Sequence, residues 1–234
     1  NGFSFYGVLM SLLSLRTQDL HRLSARKPES AHQEKQDLLS GVRYVWKRDD
    51  LRTILFMLFL LGAFGLNFPI YISTMAVSVF HVGAHGYGVL NSAMAVGTIT
   101  GALIAASRKT MKFSALPQGA IVFSLACLLG AFAPGYWAFA VTLVMAGMAS
   151  LTFTAVSNSY MQLATDPGMR GRVVSIRFAV FAGSSPLGAP LVGMVANSLG
   201  PRWALGVGSL SGILAAGVAL LYLHRTQTDK ETVS

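Results

Sequence analysis

The stretch "TILFMLFLLGAFGLNFPIYISTMAVSVF", Thr53–Phe80, decides how the rest of the chain is read. It lies between Arg52 and His81 and carries no charged side chain. A helix at the surface of a water-soluble protein keeps one polar face, because that face meets solvent. This stretch has none, and it exceeds the ~20 mostly apolar residues that cross a bilayer. It therefore predicts a membrane span.

Five more stretches after it repeat the pattern. Tyr87–Ser107, Phe113–Ala133, Tyr136–Ala164 and Trp203–Leu223 are free of charge, and Val173–Leu199 is interrupted only by Arg177. The whole chain of 234 residues is 53% hydrophobic and 12% charged, against about 25% charged for a soluble domain. Its mean hydropathy is +0.56. The expected fold class is an all-α membrane protein with six transmembrane helices over residues 51–224.

Residues 1–15, "NGFSFYGVLMSLLSL", are also apolar. A signal peptide would place its basic residues before the apolar run; here Arg16 follows it. The segment reads as the tail of a preceding transmembrane helix. Residues 16–50 read as a cytoplasmic linker. From Leu38 it becomes amphipathic, with Leu38, Val42 and Val45 at i, i+4, i+7, which suggests a short helix on the membrane surface. Residues 225–234 form a cytoplasmic tail.

The net charge of +9 has a direction. Following the six spans back and forth puts 17 of the 18 Lys and Arg on one side of the membrane and leaves Arg202 on the other. The positive-inside rule makes the basic side cytoplasmic. Membrane topology thus accounts for the basic balance, and no nucleic-acid partner is needed. The lone Cys127 rules out a disulfide within the chain.

The opposite loops, "HVGAHG", "PG" and "GPR", are very short. The spans they join must be neighbours, and little of this stretch projects outward, so a receptor with a folded outer domain is not expected. Gly97 with Gly101, and Gly208 with Gly212, have the G-x-x-x-G spacing that lets membrane helices approach closely. Pro69, Pro186 and Pro190 lie inside spans, where each removes a backbone hydrogen bond and can kink its helix. A faint internal repeat pairs Gly101-Ala-Leu-Ile-Ala, ending the second span, with Gly193-Met-Val-Ala-Asn, ending the fifth. The two run in opposite directions, as two inverted three-helix repeats would.

Polar residues at helical spacing mark candidate faces of a wet cavity, with helix contact as the alternative. In the first span these are Asn67, Tyr71 and Thr74, continued by Ser78. Asn67 lies ~21 Å in from Thr53, at 1.5 Å per residue. The second span offers Asn91, Met94 and Thr98, and Met suits varied apolar substrates. In the fourth, Thr154, Asn158 and Gln162 repeat every four residues. His81 and His85 have the spacing of a metal pair, but no third ligand is near and Gly83 and Gly86 should break the helix between them. No metal or cofactor is expected, and no nucleophile or phosphate-binding motif is present.

"GVRYVWKRDDLR" (41–52), "YGVLNSAMAVGTITGALIAA" (87–106), "RGRVVSIR" (170–177) and "SPLGAPLVGMVANSLGPRWAL" (185–205) together resemble the C-terminal half of a major facilitator superfamily transporter. The branch they are most similar to holds bacterial exporters of the enterobactin and macrolide efflux type. The likeness runs from the last turns of the family's sixth helix through its twelfth. It implies a six-helix half of a two-half fold, with alternating access to a central cavity in the bacterial inner membrane. It also implies an N-terminal six-helix half as partner. The superfamily's cytoplasmic loop motif is incomplete: Gly101 and Leu103 match and Lys109 keeps a basic position, but Ala105 stands where the family has Asp. Arg108 and Lys109, with Arg170, Arg172 and Arg177, are the candidate gating or loop residues.

The expected function is secondary active export of small amphipathic molecules, such as siderophores or drugs, with no enzymatic step. The six spans hold no acidic residue, so a proton-coupling carboxylate would have to come from the partner half. A non-transporting scaffold is the alternative. Arg177 has two readings. It is either the innermost member of a basic cluster anchoring the membrane edge, with Asp166 as partner and its side chain snorkelling to the headgroups, or a gate or cavity cation.

Overall fold

A computed structural model describes the backbone of residues 31–107, 110 and 112–231, and the side chains of 39–107, 110 and 112–228. Several expectations lie outside them: the helix tail at 1–15, the start of the linker, and both Arg108 and Lys109. The chain divides into two units, residues 1–38 and 39–234. Of the first, only the backbone of 31–38 is described, and it is helical.

Every regular element among the described residues is helical. Five helical stretches are long and apolar enough to span: Asp49–Val79, Ala84–Ser107, Tyr136–Leu163, Pro167–Ser198 and Pro201–Thr228. These are the first, second, fourth, fifth and sixth spans. The third, Ala115–Ala131, has 17 residues. It rises ~26 Å, close to the ~30 Å hydrocarbon thickness. The chain is non-helical over 81–83, so His81 and His85 are separated by a break that includes Gly83, whereas Gly86 lies inside the second span, which starts at Ala84.

The amphipathic segment begins earlier than its apolar periodicity indicates, as one helix from Ala31 to Lys47. Its expected apolar face is split. Val45 is buried, and Gly41 packs on the Arg172 and Ile176 side chains of the fifth span. Leu39, Val42 and Trp46 form a separate exposed stripe. Periodicity alone missed this because Gly41 has no side chain to register as apolar, yet it seats the helix against the fifth span.

The first span is broken. It runs as α-helix Asp49–Leu60, a π turn Leu61–Gly65, a short helix Phe68–Thr74 and a second π turn Met75–Val79. Pro69 explains the break, since it has no N–H to give the Gly65 carbonyl. Two side chains take over the carbonyls freed beside it. Asn67 Nδ2 donates to the Ala63 oxygen at 2.6 Å, and the Tyr71 hydroxyl donates to the Phe64 oxygen. In contrast, the fifth span runs unbroken through Pro186 and Pro190, so the kinks expected there do not interrupt the helix.

Close backbone approach holds the bundle together. Gly97 and Gly101 pack on the Val144 and Met148 backbone, and Gly147 returns the contact to Met94. This zips the second span to the fourth. A Cβ at Gly188 would overlap the Ala63 carbonyl, so the fifth span seats directly on the break in the first. The third and sixth spans are tied where Ser124 Oγ donates to the Ser209 oxygen at 2.8 Å, next to Gly212.

Candidate functional site

The break in the first span opens a recess of about 220 Å3 among the first, second, fourth and fifth spans. Leu66 and Phe68 reach it from the break, Met94 and Thr98 from the second span, Thr154 from the fourth and Phe181 from the fifth. The lining is mainly apolar. Its hydroxyls are already engaged: Thr98 Oγ1 donates to the Ala95 oxygen at 2.8 Å and Thr154 Oγ1 to the Ser150 oxygen at 2.9 Å. What they offer a ligand is lone pairs.

The candidate residues separate into groups. Met94 and Thr98 share the recess. Asn91 lies one turn away, half-buried, with its amide donated to the Tyr87 oxygen at 2.9 Å. Thr74 is half-buried, its hydroxyl bonded to the Ile70 oxygen at 2.7 Å. Asn158 and Gln162 are half-buried on the fourth span, one and two turns from Thr154 toward the 165–169 turn. Asn67 and Tyr71 are 4% and 0% exposed. Both are committed to the helix break, and Asn67 Oδ1 also accepts from Ser185 Oγ at 3.4 Å. This corrects the expectation that they line a wet face: both are buried, with their polar atoms spent on the helix break and on Ser185.

Arg177 stands beside the recess. Its Nη2 donates to the Thr154 carbonyl at 2.9 Å and to Ser157 Oγ at 3.3 Å, and its guanidinium carbon lies 6.0 Å from the Phe181 ring centre. Its Nε is buried and has no hydrogen-bond partner among the described residues. The pairing with Asp166 does not form, because the Tyr44 hydroxyl donates to Asp166 Oδ2 at 3.1 Å. The side chain crosses to the fourth span, so the snorkelling orientation is corrected as well. The other two arginines hold the end of the bundle. Arg170 Nε donates to the Thr165 carbonyl at 3.2 Å, and Arg172 Nη1 to Ser40 Oγ at 2.9 Å.

A cluster that the sequence reading passed over lies at the start of the first span. Arg48 grips Asp50 with two bonds, Nε to Oδ1 at 3.0 Å and Nη2 to Oδ2 at 2.8 Å. Asp50 is 7% exposed, and Tyr160 donates to its Oδ2 at 3.5 Å. The bond to Asp50 raises the Arg48 guanidinium further above its usual range. The available signal was Asp50 itself, an acid abutting an apolar run. Among the described residues no group of three or more His, Cys, Asp and Glu is placed to hold a metal ion.

No curated protein and no solved structure matches the chain. The family model for transmembrane secretion effectors does, over residues 1–234. The chain belongs to the transmembrane secretion effector family of major facilitator transporters, and it is a multi-pass membrane protein.

Proposed function

We propose that the protein is a secondary active exporter of small amphipathic molecules, working by alternating access in the bacterial inner membrane. Its basic loops would face the cytoplasm. The observation that carries this reading is the recess, which four spans share at a break in the first. Discontinuous helices beside a midplane cavity are how transporters place a binding site in the bilayer. The second and fifth spans, which frame the recess, have only 22% and 17% of their apolar windows buried, against 50–56% for the first, fourth and sixth. Faces left so open suit a second six-helix half closing over the recess.

In this reading Met94 and Thr98 contact substrate in the recess. Asn91, Thr74, Asn158 and Gln162 line the approaches to it. Asn67 and Tyr71 set its shape. Transport needs binding and conformational exchange alone, with no covalent step. The exposed Leu39, Val42 and Trp46 stripe, beside Arg43 and Lys47, would rest at the headgroup boundary.

The test is efflux by the full-length protein in vesicles, with siderophores and drugs offered under imposed proton and sodium gradients. Gradient-dependent movement of at least one compound supports transport. No movement under any gradient favours a membrane scaffold.

A further inference from the structure

Beside the recess stands Arg177, a cation whose bonding is incomplete among the described residues. Arg177 enters from the fifth span about seven residues after the helix begins at Arg170, ~10 Å along its axis at 1.5 Å per residue. Its neighbours there are a carbonyl, a hydroxyl and an aromatic ring, none of them charged. The described carboxylates are all engaged elsewhere: Asp49 with Arg52 at 2.8 Å, Asp50 with Arg48 at 2.8 Å, and Asp166 with Tyr44. A permanent cation among apolar spans is costly unless its charge is met. Buried polar atoms without a partner, such as Nε here, are rare in folded proteins and call for an account.

The placement of the guanidinium supplies one. Phe181 and Thr154 are shared: both touch Arg177 and both line the recess. Through these two residues the guanidinium neighbours an apolar pocket whose hydroxyl donors are already spent. Such a pocket suits a molecule with an apolar body and a single anionic end. Guanidinium binds a carboxylate through two parallel N–H bonds, which a neutral isostere cannot reproduce.

We propose that Arg177 is the anion-recognition group of this recess. The transported molecules are then amphipathic anions that set a carboxylate on Arg177 and their apolar body against Phe181, Phe68 and Met94. This names the substrate class of the transport reading above and rests on it.

The test uses two near-isosteric probes, the anionic 1-naphthylacetate and the neutral 1-naphthylacetamide. Binding to the full-length protein is measured in phosphatidylcholine nanodiscs, which contain no anionic lipid. The wild type should bind the acid roughly tenfold or more tightly than the amide. Arg177→Gln should remove that preference while leaving amide binding in place, and Arg177→Lys should keep part of it. Equal binding of the two probes to the wild type overturns the proposal without needing any variant. So does binding of neither, or a preference that survives in Arg177→Gln. Adding phosphatidylglycerol tests a second source of the anion. If that lipid displaces naphthylacetate at matched occupancy, Arg177 serves a lipid headgroup and the substrate assignment fails. Counterflow in proteoliposomes keeps the two readings apart. A charge preference in binding with no flux of either probe retains the anion site and sinks transport. Equal flux of both probes retains transport and sinks the anion site.

Discussion

The Tyr71 hydroxyl donates to the Phe64 carbonyl, an oxygen that an unbroken helix would pair with the Phe68 N–H. Asn67 does the same for Ala63. Together they let the first span stop and restart in a medium that offers no water to a freed carbonyl. Tyr71→Phe should therefore act on stability and leave the recess intact. The expected loss is about 1–3 kcal/mol, the cost of a buried unpaired acceptor, read as a lower melting temperature of the purified protein. Naphthylacetamide affinity should stay within twofold. A large affinity change with unaltered melting would return Tyr71 to the cavity wall.

Gly188 is seated against the Ala63 carbonyl with no room for a Cβ, whereas Gly193, on the same helix, has open space around it. Gly188→Ala should cost about 1–3 kcal/mol or more through overpacking, seen as reduced folded yield and earlier melting. Gly193→Ala should be neutral or slightly stabilising, since it only improves helix propensity. Equal behaviour of the two would mean that the fifth span does not seat on the break as described.

Asp50→Asn breaks a two-bond grip on Arg48. The arginine side chain is 40% exposed, so water can resolvate it, and the expected cost is about 1 kcal/mol. Asp49→Asn, at a side chain 68% exposed, should cost less than about 0.5 kcal/mol. Thermal melting of the two variants side by side decides the order. A larger loss from Asp49→Asn would contradict the assignment of the buried acid.

Orientation can be read with a membrane-impermeant maleimide. Cys127 is buried and is the sole cysteine, so the wild type should label weakly. Gly168→Cys, on the basic side, should label only after the inner face is exposed. Gly83→Cys, on the short-loop side, should label in intact cells. The reverse pattern would overturn the cytoplasmic placement of the basic loops.

Much of this architecture is legible in the sequence, because lipid leaves a strong compositional trace. Runs with at most one charge locate the five helices long enough to span and the shorter third, and Gly97 and Gly101 announce a close helix contact without naming Val144 and Met148 as its other side. The candidate site is less legible. Asn67, Tyr71 and Thr74 do sit together on the short helix after the break, but the break turns the Asn67 and Tyr71 side chains to the carbonyls it frees. Pro186 and Pro190 carry the same signal and leave their helix unbroken. Arg177 shows a related limit. Depth along the helix is countable from sequence, but the direction of its side chain depends on the Thr154 carbonyl, twenty-three positions away in the chain. Arg48 and Asp50 went unnoticed because charges at a span boundary read as solvated until burial is known.

The most direct test of the central claim fills the recess. Thr98 lines it from the second span and its hydroxyl is bonded only within its own helix. Thr98→Trp in the full-length protein should insert and melt near wild type, yet lose naphthylacetate counterflow in proteoliposomes by at least tenfold. Undiminished counterflow from a folded Thr98→Trp protein would contradict the account, because the transported molecule would then pass without using this recess.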